Sequence, residues 1–86
     1  MQHTQETILA EITDIARLVF EDPSLELKLE TSSDDVPKWD SLRHIALIVE
    51  AECRFDIRFR SNEIEELKIV GELVRLIQAK MELITA

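Results

Sequence analysis

An aspartate, a serine and a leucine stand together at positions 40 to 42, where a long polar stretch gives way to an apolar one, and a histidine follows at position 44. A serine in that setting has three uses: it caps a helix, it attacks an acyl group as a nucleophile, or it receives a covalent modification. Capping is the commonest of these near helix starts, because the hydroxyl satisfies free backbone N–H groups. The nucleophile reading draws on His44, three positions on and so on the same helix face as Ser41. It lacks its other parts. The chain has one glycine, Gly71, so neither a Gly-x-Ser-x-Gly elbow nor a glycine-built oxyanion site is available. No catalytic residue is assigned, the protein is expected not to be an enzyme, and His44 reads as a partly solvated helix residue.

Metal chemistry fares no better. His3 and His44 are far apart, Cys53 has no neighbour of ligand type, and the carboxylates lack the spacing of a calcium loop. Ten basic residues against eighteen acidic ones give a net charge of −8, which excludes a nucleic-acid partner and favours partners with basic surfaces. The 86 residues are expected to form one small domain, 1–86, too small for a deep enclosed site. A lone cysteine, no secretory leader pattern and no apolar run approaching about 18 residues imply a soluble, cytoplasmic protein without a membrane span, and a monomer is expected.

The elements that position Ser41 are read from periodicity. From Thr4, a plausible N-cap, Ile8, Ile12, Ile15 and Val19 recur at helical spacing, and Pro23 ends that helix near Phe20 or Glu21. Residues 23 to 40 show no helical period and form a connection of about 18 residues, long for a compact domain. Within it Leu25, Leu27 and Leu29 alternate with polar residues; an extended segment laying leucines on the core is preferred to a strand, because no second strand is available. Asp40 can cap a second helix with Leu42, Ile45, Ala46, Val49 and Cys53 on one face and Leu47, Ile48 and Ala51 widening the stripe. Cys53 is therefore expected in the core. Phe55, Ile57 and Phe59 follow as a plug beneath it, Ser61 or Asn62 caps a short helix near Glu63 to Leu67, and a last helix carries Val70, Leu73, Val74, Ile77 and Met81. The fold class is all-α: a four-helix bundle with a short third helix and a long loop between helices one and two.

This order of elements, with Asp-Ser-Leu opening the second helix and Phe55-Asp56-Ile57-Arg58-Phe59 after it, resembles the acyl carrier proteins over nearly the whole chain. The resemblance implies that Ser41 receives a 4′-phosphopantetheine arm from coenzyme A, and that acyl groups ride on its thiol as thioesters. It implies as partners a phosphopantetheinyl transferase, an acyl-charging ligase or acyltransferase, and downstream synthase enzymes. Asp40 then helps the transferase engage the serine, or is only an N-cap; Leu42 docks into partners, or only packs in the core. Val49 and Glu52 complete the implied partner-recognition face.

The chain departs from the family pattern in three places. Lys38-Trp39 stands where many carriers have glycine, resembling a subset with Trp-Asp-Ser-Leu that often serves as free-standing carriers of specialised pathways; Trp39 is expected to pack the loop more than to dock. The second helix is nearly neutral, Arg43 and Arg54 offsetting Glu50 and Glu52, with Ala46 and Cys53 where acidic residues are common. That implies polyketide-like or other secondary biosynthesis over bulk fatty acid synthesis, although a fatty-acid or aminoacyl carrier of the same fold remains an alternative. So does a small helical adaptor whose serine is only a cap. Finally, Ile69 stands where many relatives have a capping Thr, so the last helix is expected to fray at its start.

Overall fold

The computed structural model describes residues 4–85 and, within them, four α-helices and no strand. Helix α1 spans Gln5–Val19, α2 Ser41–Phe55, α3 Ser61–Glu65 and α4 Val70–Thr85, with one 3-10 turn at Ser33–Asp35 in the long connection. His3 lies outside the described residues.

Helix α1 begins as its sequence dictates, Thr4 Oγ1 accepting from the Thr7 N–H at 3.2 Å. Its stripe of Ile8, Ile12, Ile15 and Ala16 is buried, and α1 packs on both α2 and α4. The α4 face of Val70, Leu73, Val74 and Ile77 closes the core from the other side. In the long connection Leu27 is buried while Leu25 and Leu29 pack partly against the core, as an extended segment rather than a strand. Its only bridge pairing among the described residues joins Ser32 to Ile69.

Four expectations are corrected. Helix α2 buries Leu47, Ile48, Ala51 and Phe55, the side opposite Leu42, Ile45, Val49 and Cys53, so Cys53 is exposed and not a core residue. A helix apolar around most of its girth satisfies two registers equally, and contact with α1 selects one. Phe55 is the last residue of α2 rather than a residue beyond it; Phe55 and Ile57 are buried and Phe59 half-buried. Helix α3 starts at Ser61, with Arg60 at the cap position; the Glu63 carboxylate accepts from the Arg60 N–H at 2.7 Å, so neither Ser61 nor Asn62 caps it.

The fourth concerns α4, whose start, expected to lack a cap, has its first N–H groups hydrogen-bonded. Leu29 O and Thr31 O accept from the N–H groups of Gly71 and Val70 at 2.7 and 2.8 Å, and Glu72 Oε1 accepts from Lys68 N and Ile69 N. Carbonyls of the long connection thus do the work of a capping side chain. Gly71 permits this approach, since a Cβ there would lie 2.8 Å from Leu29 O.

Candidate functional site at the start of helix α2

The long connection reaches α2 through a short anchored passage. Val36 is buried, the Trp39 N–H donates to Val36 O at 3.0 Å, and the Lys38 ammonium donates to Phe20 O at 3.4 Å. The Trp39 ring lies 5.3 Å from the Phe20 ring, centre to centre, and its indole N–H donates to His44 Nδ1 at 3.1 Å. Trp39 therefore packs the loop, as its size and amphipathic ring favour.

Asp40 carries the cap. Its Oδ1 accepts from the Arg43 N–H at 2.8 Å and its Oδ2 pairs with the Arg43 guanidinium at 3.1 Å. The backbone N–H of Arg43 is the main reason the Asp40 carboxyl is held below its ordinary range, with the Arg43 charge adding to it. With the cap filled, Ser41 is spared. It occupies the first helical position, is exposed, and its hydroxyl has no hydrogen-bond partner among the described residues. The N–H groups of Ser41 and Leu42 in the same turn likewise have no protein acceptor there. The capping role that local sequence favours for Ser41 is thus taken by its neighbour.

An open groove of about 470 Å³ begins at Ser41. Trp39, His44 and Ile45 form one wall, with Ile64, Leu67 and Leu73 across from them. On the other flank a second groove of about 500 Å³ runs between α1 and α2 past Leu18 and Leu42. Leu42 is 78% exposed and Leu18 74%, with Ile45 and Val49 about half exposed, so Leu42 contributes nothing to the core. Leu18 was not singled out by periodicity, although an apolar residue off the α1 stripe is the available signal.

Of the other sequence-derived site residues, Val49 belongs to this exposed apolar surface, whereas Glu52 is half-buried and its carboxylate accepts from the Phe59 N–H at 2.9 Å. Glu52 ties the post-helix segment to α2, whatever else it meets. His44 makes no hydrogen bond to Ser41 and has its Nδ1 committed to Trp39, which leaves no nucleophile and base pair. Among the described residues no group of three or more His, Cys, Asp or Glu side chains is placed to hold a metal, and no helix is long and apolar enough to cross a membrane.

No protein-family model matches the chain. Two curated relatives do. An acyl carrier protein of Rhodococcus erythropolis is 31% identical over 78 residues, covering 91% of this chain and 86% of its own length. Another, of Acidothermus cellulolyticus, is 32% identical over 74 residues, covering 86% and 88%. Among solved structures, the solution structure of a holo acyl carrier protein from Geobacter metallireducens superposes with a TM-score of 0.84 at 41% identity, over 91% of this chain and 90% of that one.

Proposed function

The chain belongs to the acyl carrier protein family, and from that premise we propose that its 4′-phosphopantetheine arm is attached through Ser41 Oγ and that it serves a specialised, polyketide-like or other secondary biosynthetic pathway. The family carries rather than catalyses, and its prosthetic group is covalent 4′-phosphopantetheine. When attached, the arm supplies a mobile thiol on which acyl groups travel as thioesters. One observation carries the choice of residue: Ser41 is exposed at the first turn of α2 with a hydroxyl free of partners among the described residues, because Asp40 has the cap.

The surroundings fit an arm of this kind. The unsatisfied N–H groups of Ser41 and Leu42 and the positive end of the helix favour an anionic phosphodiester at that point. In loading, the Ser41 oxygen would bond to the phosphopantetheine phosphorus as its hydroxyl gives up a proton, the P–O bond of the coenzyme A pyrophosphate bridge would break, and the nucleotide half would leave with that bond's electron pair as its terminal phosphate. The groove beside Ser41 offers Ile45, Ile64, Leu67 and Leu73 as apolar walls beside the attachment point. Asp40 holds the turn, and Leu42 and Val49 present an apolar surface for the transferase, the charging ligase or acyltransferase, and later synthase enzymes.

The pathway reading is supported by the balanced charges of α2, where Arg43 and Arg54 offset Glu50 and Glu52, and by Trp39 in place of glycine. Partners tuned to a strongly acidic helix find less to recognise here. Intact-mass measurement after incubation with coenzyme A and a broad-specificity phosphopantetheinyl transferase tests the attachment. The arm's mass should appear on the wild type and be absent from Ser41→Ala; its presence on the variant sinks the assignment. Fragmentation of the arm on protein from the native source identifies the cargo class, and a plain fatty acyl chain would overturn the pathway reading.

A further inference from the structure

Trp39 is the one tryptophan of the chain, and there is no tyrosine. Its indole is held from two sides: Phe20, buried at the end of α1, lies 5.3 Å away, and His44 in the first turn of α2 accepts the indole N–H at Nδ1. The Trp39 and His44 rings are 6.0 Å apart, tilted by 32°. Asp40 and Ser41 lie in the chain between the two members of this hydrogen bond. The clasp therefore closes over the backbone by which Ser41 enters the helix.

An imidazole nitrogen accepts a hydrogen bond only when it carries no proton. The contact with Trp39 thus requires neutral His44, with its proton on Nε2. Protonation places a second N–H at Nδ1, two donors then face one another, and the clasp opens. The other titratable groups on the groove where His44 stands are Asp40 at the cap, Glu65 of α3 and Lys68 before α4, with Arg43 adjoining on α2. Asp40 is already engaged with Arg43, and none of these groups hydrogen-bonds the His44 ring.

We propose that His44 is a positioning residue for the modification of Ser41, acting through Trp39 and only while its imidazole is neutral. The proposal rests on Ser41 being the attachment point, and it makes loading weaken once Nδ1 of His44 carries a proton and no longer accepts from Trp39.

Two variants separate the parts. His44→Asn sets a carboxamide oxygen where Nδ1 stands, an acceptor that does not titrate; His44→Phe keeps a ring and removes the acceptor. Trp39 emission is followed between about pH 5 and 8, and the rate of arm mass gain with coenzyme A and a broad-specificity transferase is measured near pH 8 and near pH 5.5. The emission should respond to acidification in the wild type and stay flat in both variants. The wild-type rate divided by the His44→Asn rate, which cancels the transferase's own pH dependence, should be close to one at the higher pH. It should fall about fivefold at the lower, the factor that matches one net hydrogen bond. His44→Phe should load slowly at both. A wild-type to His44→Asn ratio that ignores pH, or an emission change that persists in His44→Asn, overturns the positioning role while leaving Ser41 as the attachment point. A wild type that gains no arm at either pH sinks the carrier reading and this proposal with it.

Discussion

At the residue scale, Asp40 and Ser41 divide tasks that the sequence alone leaves open to either. Both side chains can cap a helix, but only a residue in the cap position with extended backbone reaches the third N–H, and Asp40 has it. This lets capping and recognition be separated, because asparagine caps about as well as aspartate and carries no charge. Asp40→Asn keeps the cap acceptor but loses the charge, so it should lower the Tm near neutral pH only slightly, whereas Asp40→Ala should lower it by roughly 3–8 °C, the usual effect of losing a cap in a domain of this size. The folded-state carboxyl is held below its ordinary value of 3.8 by the Arg43 N–H, so its stabilisation is complete above that value and is lost as pH drops through the depressed one. Thermal melts between neutral pH and about pH 3 should therefore fall in the wild type by a margin that Asp40→Asn does not share. If Asp40 also meets the transferase, Asp40→Asn loads about tenfold more slowly, the worth of one charge-assisted contact; an unchanged loading rate assigns Asp40 to capping alone.

At the element scale, the start of α4 is built by a distant segment. The Gly71 N–H meets Leu29 O at 2.7 Å, and a Cβ at position 71 would stand 2.8 Å from that same backbone oxygen. Alanine is the better helix former by about 1 kcal/mol, yet Gly71→Ala should destabilise the protein by about 1–3 kcal/mol, because the obstructing atom is backbone and must move. Urea unfolding checks the sign; a more stable variant would show that the approach of the long connection is dispensable. The same element marks the limit of what the sequence makes legible. Thr4, the isoleucine stripe of α1 and Asp40 announce their helices by local rules, and the order of elements announces the family, from which the role proposed for Ser41 follows. The cap of α4 comes from carbonyls some forty residues earlier in the chain, which no local pattern encodes, and the buried face of α2 is chosen by its neighbours among two apolar registers. The Trp39 to His44 bond escapes for another reason: the residues are only five apart, but no propensity pairs an indole with an imidazole, and the contact depends on Phe20 seating the ring.

At the scale of the whole molecule, the net charge of −8 and the apolar surface at α2 make opposite demands on a partner. If the overall field governs docking, association is steered by charge and weakens steeply with salt. If the surface beside Ser41 governs it, affinity comes from burying Leu42 and its exposed neighbours, and salt matters little. The charges of α2 favour the second, since Arg43 and Arg54 lie among Glu50 and Glu52 while Leu42, Ile45 and Val49 stand exposed on the helix that Ser41 opens. Leu42 is 78% exposed, so Leu42→Asp should leave folding stability within about 0.5 kcal/mol of the wild type. It should raise the carrier's KM for the phosphopantetheinyl transferase about tenfold or more, as loss of a central apolar contact does. Glu50→Lys, at the edge of the same surface, should change KM about twofold or less, and raising the salt from about 50 to 500 mM, across which screening shortens severalfold, should change wild-type KM only slightly. A steep salt dependence together with a larger effect of Glu50→Lys than of Leu42→Asp would mean that the field of the whole domain, and not the apolar surface of α2, brings partners to Ser41.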